Sequence, residues 1–330
     1  MSDVVAEDEH RVLQVLRQRI AAGSRPRGRE DGNRVVLAVE GGGNRGVLPG
    51  GMALELAESG LLPAFDAVYG SSSGALTGAW LLSSEIAKGL RAWTDPASYA
   101  RSTRLWNPLR GRPIFDLRWL IEHYYDRTLG LDAASILANP ISLHPLATDA
   151  STGMAVDLAP FIHDRTSLHT AMRASSAVPL LAGDPVELAG RRYLDAGLAE
   201  SVPLDTPIAA GATHLLVLAS RKDGDYTNDP APVRALTARW LRRTAPGACE
   251  TFLGRNARAS SVAERLTHHN QDDTSQPAVL TVRPAADSPH VSRREGDAGV
   301  MRSAAGAGRA AMRAALSGAT PASRHADLSH

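Results

Sequence analysis

Two stretches early in the chain repeat one pattern. A short apolar run ends in glycines, and a longer apolar stretch follows. Residues 35–39 (Val35, Val36, Leu37, Ala38, Val39) lead into Gly41, Gly42, Gly43 and Gly46, then into the apolar stretch 47–59. Residues 65–69 lead into Gly70 and Gly74, then into the apolar stretch 75–82. A continuous apolar run of strand length, bounded by glycine, predicts a strand buried on both faces. The stretches behind the glycines have helix length. Strand, glycine turn and helix, twice over, predict an α/β fold: a three-layer α/β/α sandwich around a mostly parallel sheet.

The rest of the pattern extends this plan. Apolar positions Val12, Leu13, Leu16 and Ile20 carry helical spacing over 9–22, and 23–33 reads as a flexible basic linker. Further strands are expected at 141–148, 155–158, 191–194, 214–219 and 278–282. Helices are expected at 168–175, 233–266 (broken at Pro246 and Gly247) and 299–317. The division is an N-terminal helix and linker (1–33), one catalytic domain (34–317) and a flexible tail (318–330). Residues 93–125 break the alternation. They hold seven of the fifteen aromatics, interleaved with Pro and Arg, and read as a loop-rich subdomain packing its own rings. A lid or acyl pocket is the functional reading of that stretch.

Composition narrows the function. The formal charge is +1, which gives no bulk field for nucleic acid. The single cysteine, Cys249, leaves no internal disulfide. The first ten residues are acidic and lack the apolar core of a secretory signal, and no run approaches the ~18–20 apolar residues that span a bilayer. A cytoplasmic protein is expected, with any membrane contact peripheral. The histidines show no HExxH spacing, and one cysteine cannot make a CxxC pair, so neither a metal nor a cofactor is expected.

The glycine turns carry the candidate chemistry. Residues 41–46 fit G-x-G-x-x-G, and their amides, aided by a helix N-terminus, suit an anion. A dinucleotide is one reading, an oxyanion hole another, and a ligand-free turn a third. A dinucleotide site wants an acid closing the next strand, whereas Asp66 opens it. The end of that strand holds Gly70-Ser71-Ser72-Ser73-Gly74, a G-x-S-x-G in the strand-to-helix setting of a nucleophile elbow, with Ser72 at its tip. Far downstream, Asp195-Ala196-Gly197 ends another short strand; alone it is an ordinary turn.

In combination these three motifs, in this order, resemble the patatin-like phospholipase family. The stretches 174–179 and 204–212 resemble that family's flanks of the aspartate, and the resemblance covers about 34–220. It implies a lipid acyl hydrolase with a Ser–Asp dyad, acting on a lipid or ester. Ser72 would be the nucleophile, Asp195 the general base, and Gly42, Gly43 and Arg45 the oxyanion hole. Arg45 holding a lipid phosphate and Arg45 as a solvated helix-start residue are further readings. Glu40 stands where the family more often has Asp, and Ala196 where it more often has Gly.

Three rival readings remain. An α/β-hydrolase would pair Ser72 with an Asp and His214, His268 or His269. A Rossmann-type nucleotide-binding protein would use the glycines at 41–46 alone. A catalytically silent binder on the same fold is weakened by the presence of both Ser72 and Asp195.

Overall fold

In the computed structural model, residues 9–318 are described apart from 105, 108–110, 226–228 and 273. The expected tail lies almost wholly outside them. The strands are β1 (Val35–Val39), β2 (Ala67–Ser71), β3 (Ser142–Asp149), β4 (Ala155–Asp157), β5 (Val186–Leu188), β6 (Arg191–Leu194), β7 (His214–Leu218) and β8 (Ala278–Val282). Among the described residues they form one sheet, ordered β5-β6-β3-β2-β1-β7-β8, with β4 also beside β3. From β3 to β8 all neighbours are parallel, while β4, β5 and β6 add an antiparallel edge.

The helices are α1 (Arg11–Ala21), α2 (Val47–Glu58), α3 (Ser73–Leu82), α4 (Ile86–Thr94), α5 (Pro96–Ser102), α6 (Ala133–Ala138), α7 (Arg165–Ser175), α8 (Asp205–Ala209), α9 (Ala231–Thr244), α10 (Gly247–Gln271) and α11 (Ala298–Leu316). Strand alternation sorts them into two layers. Val35, Leu37 and Val39 join a core with Met52 and Leu56 of α2, Ala79 of α3 and Met312 of α11. Val36 and Ala38 point the other way, into a core with Ile208 of α8 and Val262 and Leu266 of α10. The three-layer α/β/α architecture follows directly.

The expected strands at 191–194 and 278–282 appear at those bounds, and the break at Pro246 separates α9 from α10. The second strand begins and ends two residues later than its apolar run, so Gly70 and Ser71 belong to β2. Residues 23–33 are tied down instead of free. Arg19, 2% exposed, donates to Asp31, Asp66 and the carbonyls of Ala64 and Asn33. Arg29 pairs with the same Asp66. The hydrogen bond from Arg19 holds the Asp31 carboxyl down at about 2, against a smaller burial effect. Asp66, the residue that a nucleotide site would have needed elsewhere, is the acceptor that closes this clamp.

The aromatic stretch is more helical than expected. It contains α4, α5 and a π-helical segment, Trp119–Thr128. Most of its rings pack: Tyr125 meets Trp80 edge-on at 5.4 Å, and Trp119 stacks on Tyr124 at 5.4 Å. Trp106 is the exception, with 76% of its surface exposed.

Candidate active site

The C-terminal ends of β1 and β2 lie side by side, Val39 beside Gly70. In an open α/β sheet that rim is where ligands bind. The glycine loop leaves β1 there, and Ser72 leaves β2. Ser72 sits at the N-terminus of α3 with φ 53° and ψ −120°, a backbone region costly for a residue with a Cβ. Glycine makes the sharp turn possible. A Cβ on Gly74 would lie 2.1 Å from the Val39 carbonyl oxygen, so α3 rides directly on β1. A Cβ on Gly41 would lie 2.7 Å from the Ser71 oxygen and 3.1 Å from Ser72 Cβ. The glycine loop therefore runs in contact with the Ser72 side chain.

Within that loop most amides are occupied. The Gly41 N–H donates to the Ser201 carbonyl at 2.9 Å, the Asn44 N–H to the Arg293 carbonyl at 3.0 Å, and the Arg45 N–H to the Gly42 carbonyl at 3.3 Å. Among the described residues, the N–H groups of Gly42 and Gly43 make no such bond. Glu40 directly follows β1, beside this loop. It is buried, and its carboxylate accepts the Ser220 N–H at 2.6 Å and faces Arg221 at 3.4 Å, tying β1 to the turn after β7.

Register brings Asp195 to the same place. Ser71 pairs with Leu146 of β3, and Leu194 of β6 pairs with Thr148 on the other side. Carried one residue on, both Ser72 and Asp195 come level with Ala147, separated by roughly two strand spacings, about 9.6 Å. Two short side chains reaching inward span that gap. The end of α7 braces both: Ser175 Oγ accepts the Ser72 N–H at 3.0 Å, and the Ala177 carbonyl accepts the Asp195 N–H at 2.9 Å. Thr148 Oγ1 donates to the Asp195 carbonyl at 2.9 Å.

Asp195 is 7% exposed, and burial raises its pKa above 3.8. The Ser72 hydroxyl, the Gly197 N–H (2.8 Å from Oδ1) and the charge of Arg293 pull it back down. The contact with Ser72 is looser than a regular hydrogen bond, for Oδ2 is buried with no partner of regular geometry among the described residues. Such contacts commonly tighten only when substrate arrives. Arg45 is 5% exposed, with Nε and Nη2 unpartnered. Burial first, then the charge of Arg221, lowers its pKa to about 10, so it stays a cation at neutral pH. It is therefore not a solvated helix-start arginine.

The sequence resemblance thus finds its residues together: Ser72, Asp195, the loop of Gly41, Gly42, Gly43 and Gly46, the elbow glycines Gly70 and Gly74, and the turn of Ala196 and Gly197. A family profile described as patatin-like phospholipase matches residues 37–208. The chain belongs to the patatin-like phospholipase family. This is a family of lipid acyl hydrolases. An uncharacterized protein of Escherichia coli K12, YjjU, is 29% identical over 243 residues, 72% of this chain. The chain spans 61% of the length of that relative.

The patatin-like core leaves the histidines of the triad reading elsewhere. His214 pairs with Val35 at the start of β1, four residues, about 13 Å, from the rim. His268 and His269 lie in the last turn of α10, where His269 contacts Ser275 at 2.9 Å. A Ser142–His144–Asp157 chain does exist, with contacts of 2.8 and 2.6 Å, but Ser142 pairs with Ala67 at the far end of β2. Sequence reasoning missed Ser175, Ser201 and Arg293. Of these, only Ser175 carried a signal, inside the stretch resembling the family flank. Among the described residues no group of three His, Cys, Asp or Glu could hold a metal, and no helix is long and apolar enough to cross a membrane.

Proposed function

We propose that the chain is a serine-dependent acyl hydrolase of lipid or other carboxylic esters, with Ser72 as nucleophile and Asp195 as general base. One observation carries this reading: a buried carboxylate with an unpartnered oxygen faces the hydroxyl of a serine held at a strained helix N-terminus. A serine hydroxyl needs a base before it attacks. Asp195 accepts that proton as Ser72 Oγ bonds to the ester carbon. Burial favours this by making the carboxylate more basic than a solvated one. Negative charge then develops on the carbonyl oxygen. The free Gly42 and Gly43 amides are suited to it, and one such donor is worth about 2.7–4 kcal/mol in the transition state. Arg45 adds a positive potential beside the loop. Asp195 returns the proton to the departing alcohol as the C–O bond breaks. Water, deprotonated by the same carboxylate, then releases the acyl group and regenerates Ser72.

The test is hydrolysis of p-nitrophenyl esters of graded chain length by the wild type, Ser72→Ala, Asp195→Asn and His214→Ala. The first two variants are expected to lose activity, the base variant by about 10²–10⁴-fold. The histidine variant should keep it. A Ser72→Ala protein as active as its parent would end the proposal.

A further inference from the structure

Among the described residues, 103–104 and 112–115 form the closed base of a loop that carries Trp106 and Asn107. Thr103 and Phe115 are bridged, and the Arg104 N–H donates to the Ile114 carbonyl at 2.8 Å. Asn107, 9% exposed, anchors the interior by donating to the Pro113 carbonyl at 2.9 Å and accepting the Arg112 N–H on its carbonyl at 3.1 Å. The Phe115 N–H donates to the Leu181 carbonyl at 2.7 Å. Leu181 lies four residues past Ala177, which holds Asp195, so the chain places the loop's base within about 14 Å of the Asp195 brace.

Against this fixed base, the residue next to Asn107 is turned outward. Trp106 exposes 76% of its surface, the largest share among the exposed large apolar side chains. Its neighbours Arg101, Arg104 and Arg112 are exposed, and none forms an ion pair among the described residues. Residues 101–115 contain four arginines and no acidic residue. The whole chain carries a formal charge of only +1, so this is a local concentration of positive charge.

We propose that this loop docks the protein on an anionic lipid bilayer, with Trp106 seated at the headgroup level and Arg101, Arg104 and Arg112 on lipid phosphates. Tryptophan prefers that interface because its ring is apolar and its N–H polar. Arginines within a Debye length of an anionic leaflet are attracted to it. A protein partner would accept an exposed Trp as well, but three exposed arginines close to it in the chain, with no ion pair among the described residues, match a uniformly anionic surface. The inference depends on the acyl-hydrolase reading for its purpose: Ser72 is only 8% exposed, and docking brings the protein to the bilayer that supplies the ester. It does not depend on that reading for its geometry.

The experiment uses the full chain carrying Ser72→Ala, so that vesicles are not consumed. Cosedimentation with phosphatidylglycerol/phosphatidylcholine vesicles is compared with phosphatidylcholine alone at low and high salt. Binding to the anionic vesicles, weakened by salt, is expected. Trp106→Ala should weaken it at least tenfold, and Arg104→Gln and Arg112→Gln about fivefold each. Trp106→Ala in the otherwise native chain should turn over a soluble short-chain ester at the parental rate, with an unchanged melting temperature. Equal binding by Trp106→Ala and its parent overturns the proposal. So does a parent that stays in the supernatant with anionic vesicles. Vesicle binding by a protein whose wild type hydrolyses no ester would sink the enzymatic reading and leave this one standing.

Discussion

Asp195→Asn should make the protein inactive and, at neutral pH, more stable. The native carboxylate is buried, its Oδ2 lacks a regular partner, and its raised pKa shows that the folded surroundings disfavour its charge. A buried unsatisfied polar group costs about 1–3 kcal/mol. The carboxamide keeps Oδ1 as acceptor for the Gly197 N–H, removes the charge, and offers an N–H to Ser72 Oγ. For 330 residues at about 2.1 cal/mol/K each, the unfolding entropy is roughly 0.7 kcal/mol/K. A gain of about 1–3 kcal/mol then raises the melting temperature by about 1.5–4 °C. The sign with pH follows from linkage. An acid with a raised native pKa holds its proton more tightly when folded. Its destabilising effect is absent below 3.8, grows as pH rises to the native value, and is constant above it. Scanning fluorimetry at one scan rate, across pH, checks both size and sign. An Asn variant that melts below the wild type at pH 7–8, or whose advantage shrinks as pH rises, refutes the reasoning.

Three further outcomes follow from other parts of the site and frame. In a pH–rate profile of kcat/KM, the acid limb should lie above 3.8; Arg293→Gln should move it higher still, because that cation lowers the Asp195 pKa. Ser72→Gly should be more stable than Ser72→Ala by about 1 kcal/mol in urea titrations, since glycine relieves φ 53° at the elbow while alanine retains it. Arg19→Met should lower stability by about 3–5 kcal/mol by the same measurement, because it leaves Asp31 without its buried partner and Asp66 with Arg29 alone.

Much of the centre of this fold was legible because burial on both faces leaves uninterrupted apolar runs, as in β1, β7 and β8. The end of β2 was not. Gly70 and Ser71 have poor strand propensity and are strand because Val39, Pro145 and Leu146 pair with them. The linker misled for a related reason: Arg19, Arg29 and Asp31 look solvated in sequence, and only folding brings Asp66 between them. At the site, Ser72 and Asp195 were legible through motif and order. Their brace was not. Ser175 and Arg293 stand about a hundred residues or more from the groups they touch, and no local pattern encodes such a meeting. Trp106 was read with the packed aromatics because ring content alone does not say which ring faces water.

The sheet order carries a consequence for protein dissection. The stretch 37–208 ends before β7 and β8, yet β7 is the neighbour of β1 along its whole length. A fragment cut to those bounds would begin inside β1 and expose what is left of it, the apolar Leu37–Val39, as a raw edge with unanswered amides and carbonyls. Such an edge recruits whatever strand it meets, so the excised fragment should self-associate. The segment that completes the family's fold in this chain is one that the family's own borders leave out.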